Sequence, residues 1–246
     1  MIHQKLFDDG NRQWHFFGRD PLKDAKIIDS NQYAITHQGH VLLMDPGGLE
    51  IFPSVSSEMS MVFPLGNIQA ILATHQDPDI ASSLPLWEGL SPEVKVYHPW
   101  VWGGFLAHYS PTVTLVPVPD PGGTLPLGGS NDLRLIPAHY VHSSGNLSLY
   151  DPTAKILFSG DIGGAILPPE VSGVFVENFQ QHTPYMTAFH QRWMPSNEAK
   201  NRWVARVRKL EVNLLCPQHG KVFKGGDVAR FLDWLEALEV GLVQED

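Results

Sequence analysis

Four times along this chain a short apolar run of β-type residues ends in a loop that carries histidine or aspartate. Ile68–Ala73 runs into Thr74-His75-Gln76-Asp77-Pro78-Asp79, and Leu133–Ile136 into Pro137-Ala138-His139-Tyr140-Val141-His142. Lys155–Phe158 runs into Ser159-Gly160-Asp161, and Val212–Leu215 into Cys216-Pro217-Gln218-His219-Gly220. Strand ends are rigid platforms, and the loops that leave them are where binding and catalytic residues tend to sit. A chain built this way is expected to gather the ends of several strands into one place.

The rest of the pattern fits a mixed architecture. Further β-like runs are read at Gln32–Thr36, His40–Met44, Val94–Tyr97 and Leu147–Tyr150, each ending in polar, Gly or Pro residues. Three segments have helical spacing. Asp79–Leu90 opens on an aspartate placed to cap a helix. Ser196–Leu210 sets Trp203, Val204, Val207 and Leu210 on one face. Asp227–Leu242 does the same with Val228, Phe231, Leu232, Leu235, Leu238 and Leu242, a stripe read as core packing. Strands interleaved with late helices indicate an α+β or layered α/β fold. The 246 residues contain no linker, repeat or shift in composition, so residues 1–246 are expected to form a single domain.

Charge and cysteine usage remove several function classes. The formal net charge is -9, which disfavours nucleic acid as a partner, because phosphate binding needs a basic surface. The basic residues of Arg202–Lys209 fall on a helical pattern and are read as a solvated face. Cys216 is the only cysteine, which excludes an intrachain disulfide and cysteine-rich zinc or iron–sulfur sites. Met1–Gly10 lacks the basic-then-apolar layout of a signal peptide, and no run approaches the roughly 18 apolar residues of a membrane helix. The expected location is the cytoplasm, with no membrane partner.

His75, Asp77 and Asp79 alternate, so on extended chain they share a face, and in a tight loop they can wrap around a metal pair. Read alone, the segment is also compatible with a turn holding a helix cap and an incidental histidine. The three other loops argue against that. All the candidates are imidazole or carboxylate, and mixed N/O sets suit iron, manganese or zinc. Carboxylates can bridge two ions, Asp161 is the natural bridge, and a metal pair can activate a small shared ligand.

The series resembles the metallo-β-lactamase superfamily, whose hydrolases carry His-x-His-x-Asp-His, a distant His, an Asp and a last His. Here the first motif reads His75-x-Asp77-x-Asp79-Ile80, with a carboxylate in the second position. That replacement resembles the flavodiiron proteins, with their His-x-Glu-x-Asp. His142 precedes Asp161 by 19 residues with Tyr150 between them, as in that family, and Pro-Gln-His219-Gly resembles its Ser-His-Gly. The Asn31-Gln32-Tyr33 strand start and a helix at Tyr185–Pro195 look similar too. The resemblance implies a four-layer αββα sandwich with His75, Asp77 and His142 on one metal, Asp79 and His219 on the other, and Asp161 between them. It implies two ions, with iron the first expectation and zinc or manganese the alternatives. Ile80 stands where a second histidine is usual, which leaves a coordination position open. Asp77 is a methylene shorter than the family's Glu. Flavodiiron proteins continue into a flavin-binding domain; this chain reaches Asp246 just past its last helix and shows no Gly-rich phosphate loop, so no flavin is expected in it.

The resemblance therefore implies a non-haem diiron protein that binds O2, or NO, as a sensor or carrier, or that reduces them with electrons from a separate redox protein; no catalytic residue beyond the ligands is expected. The alternative is a binuclear zinc hydrolase of esters, thioesters, lactones or phosphodiesters, since one fold does not fix one chemistry. A metal-poor interaction scaffold is the third reading. A signalling partner and a homodimer are both compatible with the sequence. His139 rivals His142 as a ligand, the spacing favouring His142. His98, His108, His182 and His190 are read as packing or surface residues, with a pocket role or a hydrogen bond behind the metal ligands as the alternative; His182 is placed on a loop and His190 on a helix. Trp100, Trp102 and Phe105 are read as core or pocket wall, Tyr185 is left without a role, and Cys216 is expected to be buried and inert.

Overall fold

The computed structural model describes residues 1–20, 23, 24 and 26–242, which fall into two compact units, Met1–Leu133 and Arg134–Asp246. The first unit is built on a seven-stranded sheet whose spatial order follows the sequence: β1 (Ile2–Asp8), β2 (Arg12–Gly18), β3 (Gln32–His37), β4 (His40–Met44), β5 (Ile68–Leu72), β6 (Lys95–Pro99) and β7 (Thr114–Val118). The first four are antiparallel to their neighbours; from β4 onward the strands are parallel. Parallel neighbours need crossovers. Helices α1 (Phe52–Ser60), α2 (Pro78–Ala81), α3 (Leu84–Leu90) and α4 (Gly103–Leu106) lie in those crossovers. Val55, Met59, Ile80, Leu84, Trp87 and Leu106 from these helices bury against Val41, Leu43, Ile71 and Val96 of the sheet. Arg12, almost wholly buried, forks onto Asp132 through two 2.9 Å hydrogen bonds and holds that carboxyl far below its usual range.

The strand order of the other sheet is β13-β12-β11-β10-β9-β8, with β8 at Gly123–Leu127 and β9 at Ser130–Pro137. Gly128 and Gly129 join those two as a two-residue hairpin with positive φ at both positions, the conformation glycine adopts without strain. In the second unit, β10 (Leu147–Asp151) pairs antiparallel with β9 and with β11 (Ile156–Gly160). β12 (Leu214–Pro217) runs parallel to β11, and β13 (Phe223–Lys224) closes the edge. Helices α5 (Phe179–Trp193), α6 (Asn197–Val207) and α7 (Gly226–Ala237) supply Met186, Trp203, Val204, Phe231 and Leu235 to this unit's own core. No helix among the described residues is long and apolar enough to cross a membrane.

All eight expected strands are present. Met1–Gly10, set aside as a polar start, is largely strand β1. The helix expected over Asp79–Leu90 is two helices, α2 and α3, split at Ser82–Ser83. Pro85 has no N–H to give the carbonyl four residues back, and its ring crowds that turn, so one continuous helix cannot pass. The N-cap of α2 is Asp77, not Asp79, and its side chain makes no capping bond. α7 ends at Ala237, short of the expected Leu242. Its last carbonyls are taken by Lys200, whose Nζ accompanies Leu235 O at 2.7 Å, Glu236 O at 3.0 Å and Leu238 O. His182 lies on α5, not on a loop. That helix tolerates Pro184 because the Thr183 hydroxyl donates to the Gln180 carbonyl at 2.9 Å, replacing the missing N–H.

Candidate metal centre

In the first unit, β5 ends at Leu72 and delivers His75 and Asp77 on the loop before α2. His75 is fully buried, and its Nε2 lies 3.4 Å from Asp77 Oδ2. The other ring nitrogen is fixed from behind. Asp45 Oδ1 accepts from the Thr74 N–H at 2.8 Å, and Oδ2 from the Thr74 hydroxyl at 2.7 Å. Having given its proton to Asp45, the Thr74 oxygen can only accept, and His75 Nδ1 lies 3.0 Å from it. His75 therefore carries its proton on Nδ1 and presents a lone pair on Nε2, the arrangement a metal-binding histidine needs. Asp77 Oδ1 accepts from Gln76 Nε2 at 2.8 Å, which leaves Oδ2 facing His75. Asp79 sits in the first turn of α2, where the helix dipole favours a carboxylate. Tyr109 donates from its hydroxyl to the Gln76 carbonyl at 3.3 Å; burial first, then the charges of Asp77 and Asp79, raise its pKa. Ile80 is fully buried in the unit's core.

In the second unit three strand ends converge. Asp161 follows β11, His219 follows β12, and His142 lies between β9 and β10. Asp161 Oδ2 is 3.4 Å from His142 Nε2 and its Oδ1 is 3.7 Å from His219 Nε2, all three side chains being nearly inaccessible. One carboxylate thus offers one oxygen to each of two imidazoles. His142 has φ +85°, a left-handed conformation that costs a non-glycine residue about 1–3 kcal/mol and tends to persist where function requires it. The loop is pinned by Asn146 Nδ2 donating to the Val141 carbonyl at 2.7 Å and by Tyr140 N donating to Ser143 O at 2.7 Å. Between the rivals His139 and His142, it is His142 whose ring nitrogen meets Asp161. The Phe189 ring of α5 covers the histidines, stacked on His142 at 5.8 Å and edge-on to His219 at 6.1 Å. His190 accepts from Gly163 N through Nε2 at 2.9 Å, and its Nδ1 lies 2.9 Å from the Met186 carbonyl; burial lowers its pKa to about 4. It is neutral and locks the turn after Asp161.

The donor spacing suits a metal. Two ligand atoms each about 2.1 Å from one ion, at a tetrahedral angle, lie about 3.4 Å apart. The separations of 3.4, 3.4 and 3.7 Å are longer than good hydrogen bonds and close to that value. The donor set is imidazole and carboxylate throughout, hard enough for iron, and Cys216 is buried with its pKa raised well above the usual thiol value, so it offers no thiolate.

Asp45, Thr74, Phe189 and Tyr109 were not singled out in the sequence as parts of the site. Asp45 carried a signal: it follows apolar strand β4 as Asp161 follows β11. Phe189 carried none beyond its place beside His190.

The chain belongs to the ODP family of β-lactamase-fold proteins, whose model, described as "ODP family beta lactamase", matches residues 28–220. It is similar to a structure described as the peroxy diiron species of the chemotaxis sensor ODP, at 36% identity over 98% of this chain and 97% of that one, with a TM-score of 0.86. The apo state of the chemotaxis sensor ODP from T. denticola matches at the same identity and TM-score, over 98% and 96% of the two chains. A flavo di-iron protein from Thermotoga maritima matches at 20% identity and a TM-score of 0.78, over 96% of this chain and 61% of that one, a likeness of fold. No curated protein sequence matches the chain. The expected mixed α/β fold of metallo-β-lactamase type, with two sheets and attendant helices, is therefore borne out, as is the expected branch of that superfamily.

Proposed function

We propose that this protein is a non-haem diiron protein that binds O2 as a sensor or carrier, with residues 1–246 acting as one domain. The observation that carries the reading is Asp161, which turns one oxygen to His142 and the other to His219, the disposition of a carboxylate shared by two ions. Family membership supports it, because the ODP relative at 36% identity is described as a diiron species and as a chemotaxis sensor. In this reading His75, Asp77 and His142 hold one iron, Asp79 and His219 hold the other, and Asp161 bridges. When bound, a ferrous pair supplies the electron density that a small ligand such as O2 or NO accepts.

The chain's own residues do the rest. Asp45 and Thr74 hold His75 in the tautomer that offers Nε2. Phe189 keeps His142 from rotating and limits water around it. Ile80 is committed to the core, so the Asp79 side of the site takes fewer protein ligands and keeps a position for the incoming molecule. Three aspartates against two ions balance most of the charge of a ferrous pair, which suits reversible binding.

The zinc hydrolase reading is not favoured. The second position of the first motif is Asp77 where hydrolases place histidine, and the 36% identical relative is a diiron sensor. Sustained reduction of O2 or NO would need a separate redox protein, and sensing a signalling partner; the reading admits both, and a homodimer, and places the protein in the cytoplasm. The test is Asp77→His. It should shift metal preference from iron toward zinc and abolish the optical response to O2. Unchanged iron content and O2 response would remove Asp77 from the ligand set.

A further inference from the structure

At the end of the first sheet away from the His75 loop, one row of side chains crosses four strands. The register sets Asp8 opposite Gln13, Gln13 opposite Thr36 and Thr36 opposite Val41, so all four share one face. Val41 is buried in the unit's core, while Gln13 and Thr36 stay half-buried. Helix α1 packs on this face and stops at Ser60, and the chain then runs through Val62–Asn67 into β5. Between that segment, the row and the turns β1–β2 and β3–β4 lies a cavity of about 350 Å³. Its apolar lining is Phe63, Val62 and Pro64 beside Val41. Phe63 is held edge-on to His15 and to Phe17, both at 6.3 Å. The polar lining adds Asn11, His37, Gln38 and Asn67 to Gln13 and Thr36; no Asp, Glu, Lys or Arg is among the described residues that line it. Hydrogen bonds assign two of these groups their roles. Gln13 Nε2 donates to Asp8 at 3.1 Å, so its amide oxygen remains to accept. His37 Nδ1 lies 3.2 Å from the Asn11 carbonyl, which can only accept, so Nδ1 carries a proton and Nε2 of the neutral ring accepts. The turns leave room at the mouth: Gly10 and Gly39, at φ +89° and +81°, have nothing within 4 Å of where a Cβ would stand.

We propose that this cavity binds a small, neutral, polyhydroxylated molecule, a sugar or polyol. A hydroxyl both donates and accepts, which matches acceptors at Gln13 and His37 and donors on the amides of Asn11, Gln38 and Asn67. The C–H face of such a molecule lies against Phe63 and Val62. A charged ligand would find no opposite charge in the lining, and burying its charge there is costly. The volume falls at the small end of the roughly 300–1,000 Å³ of ligand pockets, which suits a single ring. Strands β4 and β5 start at this cavity and end beside Asp45 and His75, so the two sites occupy opposite ends of the same strands. No lining residue belongs to the metal ligand set, and the site stands whether or not the diiron reading does.

The test uses the full chain, in metal-free and iron-loaded form, titrated separately with glucose, ribose and glycerol, and with glucose 6-phosphate as a charged counterpart. Calorimetry reads binding, and the side-chain amide 15N signals of Asn11, Gln13, Gln38 and Asn67 in the metal-free chain read the place. The expected result is saturable one-site binding of at least one neutral probe, equal in both metal states, tighter than that of the phosphate ester, and with those amide signals shifted. Thr36→Val, which keeps shape and removes the hydroxyl, and Asn67→Ala should each weaken binding by about three- to tenfold, the loss of one hydrogen bond. Asn67 is exposed, so its variant keeps the test open if Thr36→Val does not fold. No saturable binding of any neutral probe, tighter binding of glucose 6-phosphate, binding only with iron present, binding that leaves those amide signals in place, or binding unchanged by Asn67→Ala and Thr36→Val would overturn the proposal.

Discussion

Phe189 lies nearly flat against His142, with ring centroids 5.8 Å apart and planes inclined by 20°. The same ring meets His219 edge-on and stacks on Trp193, one helical turn further along α5, at 5.4 Å. One side chain thus restrains both histidines that face Asp161. Groups that orient metal ligands are typically worth about 10–100-fold in metal affinity. Phe189→Leu keeps apolar volume but removes the flat surface. It should lower iron affinity by about tenfold, with the far-ultraviolet circular dichroism unchanged; competition with a chelator of known affinity would measure it.

The Asp45–Thr74–His75 relay makes a second prediction. Thr74→Val preserves shape and removes the hydroxyl, so the proton of His75 Nδ1 loses its acceptor and Asp45 is left buried with one partner fewer. Iron affinity should fall by about 10–100-fold, and stability by about 1–3 kcal/mol. Asp45→Asn should have a smaller effect on stability. Its amide can donate to the Thr74 oxygen, which reverses the relay and favours the wrong tautomer of His75. Urea denaturation and iron titration of the two variants separate these effects.

Two glycines are set by space. Gly220, beside His219, has φ +83°, and a Cβ there would lie 2.7 Å from the Ala165 Cβ. At Gly164 a Cβ would lie 2.8 Å from the Asp161 carbonyl oxygen and 3.2 Å from Phe189. Gly220→Ala should therefore displace the His219 loop and lose the metal on the Asp79–His219 side. The measurement is iron stoichiometry per chain, expected to fall from two toward one.

The buried histidines give a pH dependence. Burial lowers the pKa of His190 from 6.5 to about 4, and His15 and His182 are lowered to about 4 in the same way. Above pH 6.5 these rings are neutral in both folded and unfolded chains, and their contribution is complete. As pH falls from 6.5 toward 4 the unfolded chain takes up protons that the fold refuses, and stability is lost. For fully buried His190 the slope is on the order of 1.4 kcal/mol per pH unit. The metal-free protein should therefore unfold at lower denaturant as pH drops through this window, and His190→Gln, less stable at neutral pH, should show a shallower acid slope.

The sequence made the ligand loops legible because chemistry and secondary structure coincide there: an apolar strand stops and a histidine or aspartate follows. It also showed α6, whose Ser196 caps the helix through Ala199 N at 3.2 Å as its side chain suggests. Tertiary contacts decided the rest. The end of α7 depends on Lys200, which lies on another helix, and the break between α2 and α3 on Pro85 inside an otherwise helical pattern. Strands β1 and β2 went unread because His3, Lys5, Arg12 and His15 make them look polar. In the fold, His3 Nε2 and His15 Nδ1 share a hydrogen bond at 3.0 Å, and Arg12 pairs with Asp132, so those polar groups are absorbed. Thr74, an ordinary residue at a strand end, acquires its role only through Asp45, 29 residues earlier.

The central claim is a binuclear iron site that takes up O2. It is tested most directly by the metal content of anaerobically purified protein together with its optical spectrum before and after oxygen is admitted. The account predicts two irons per chain and an absorption band that rises with O2 and fades when O2 is removed. Two zincs with no optical response would contradict it.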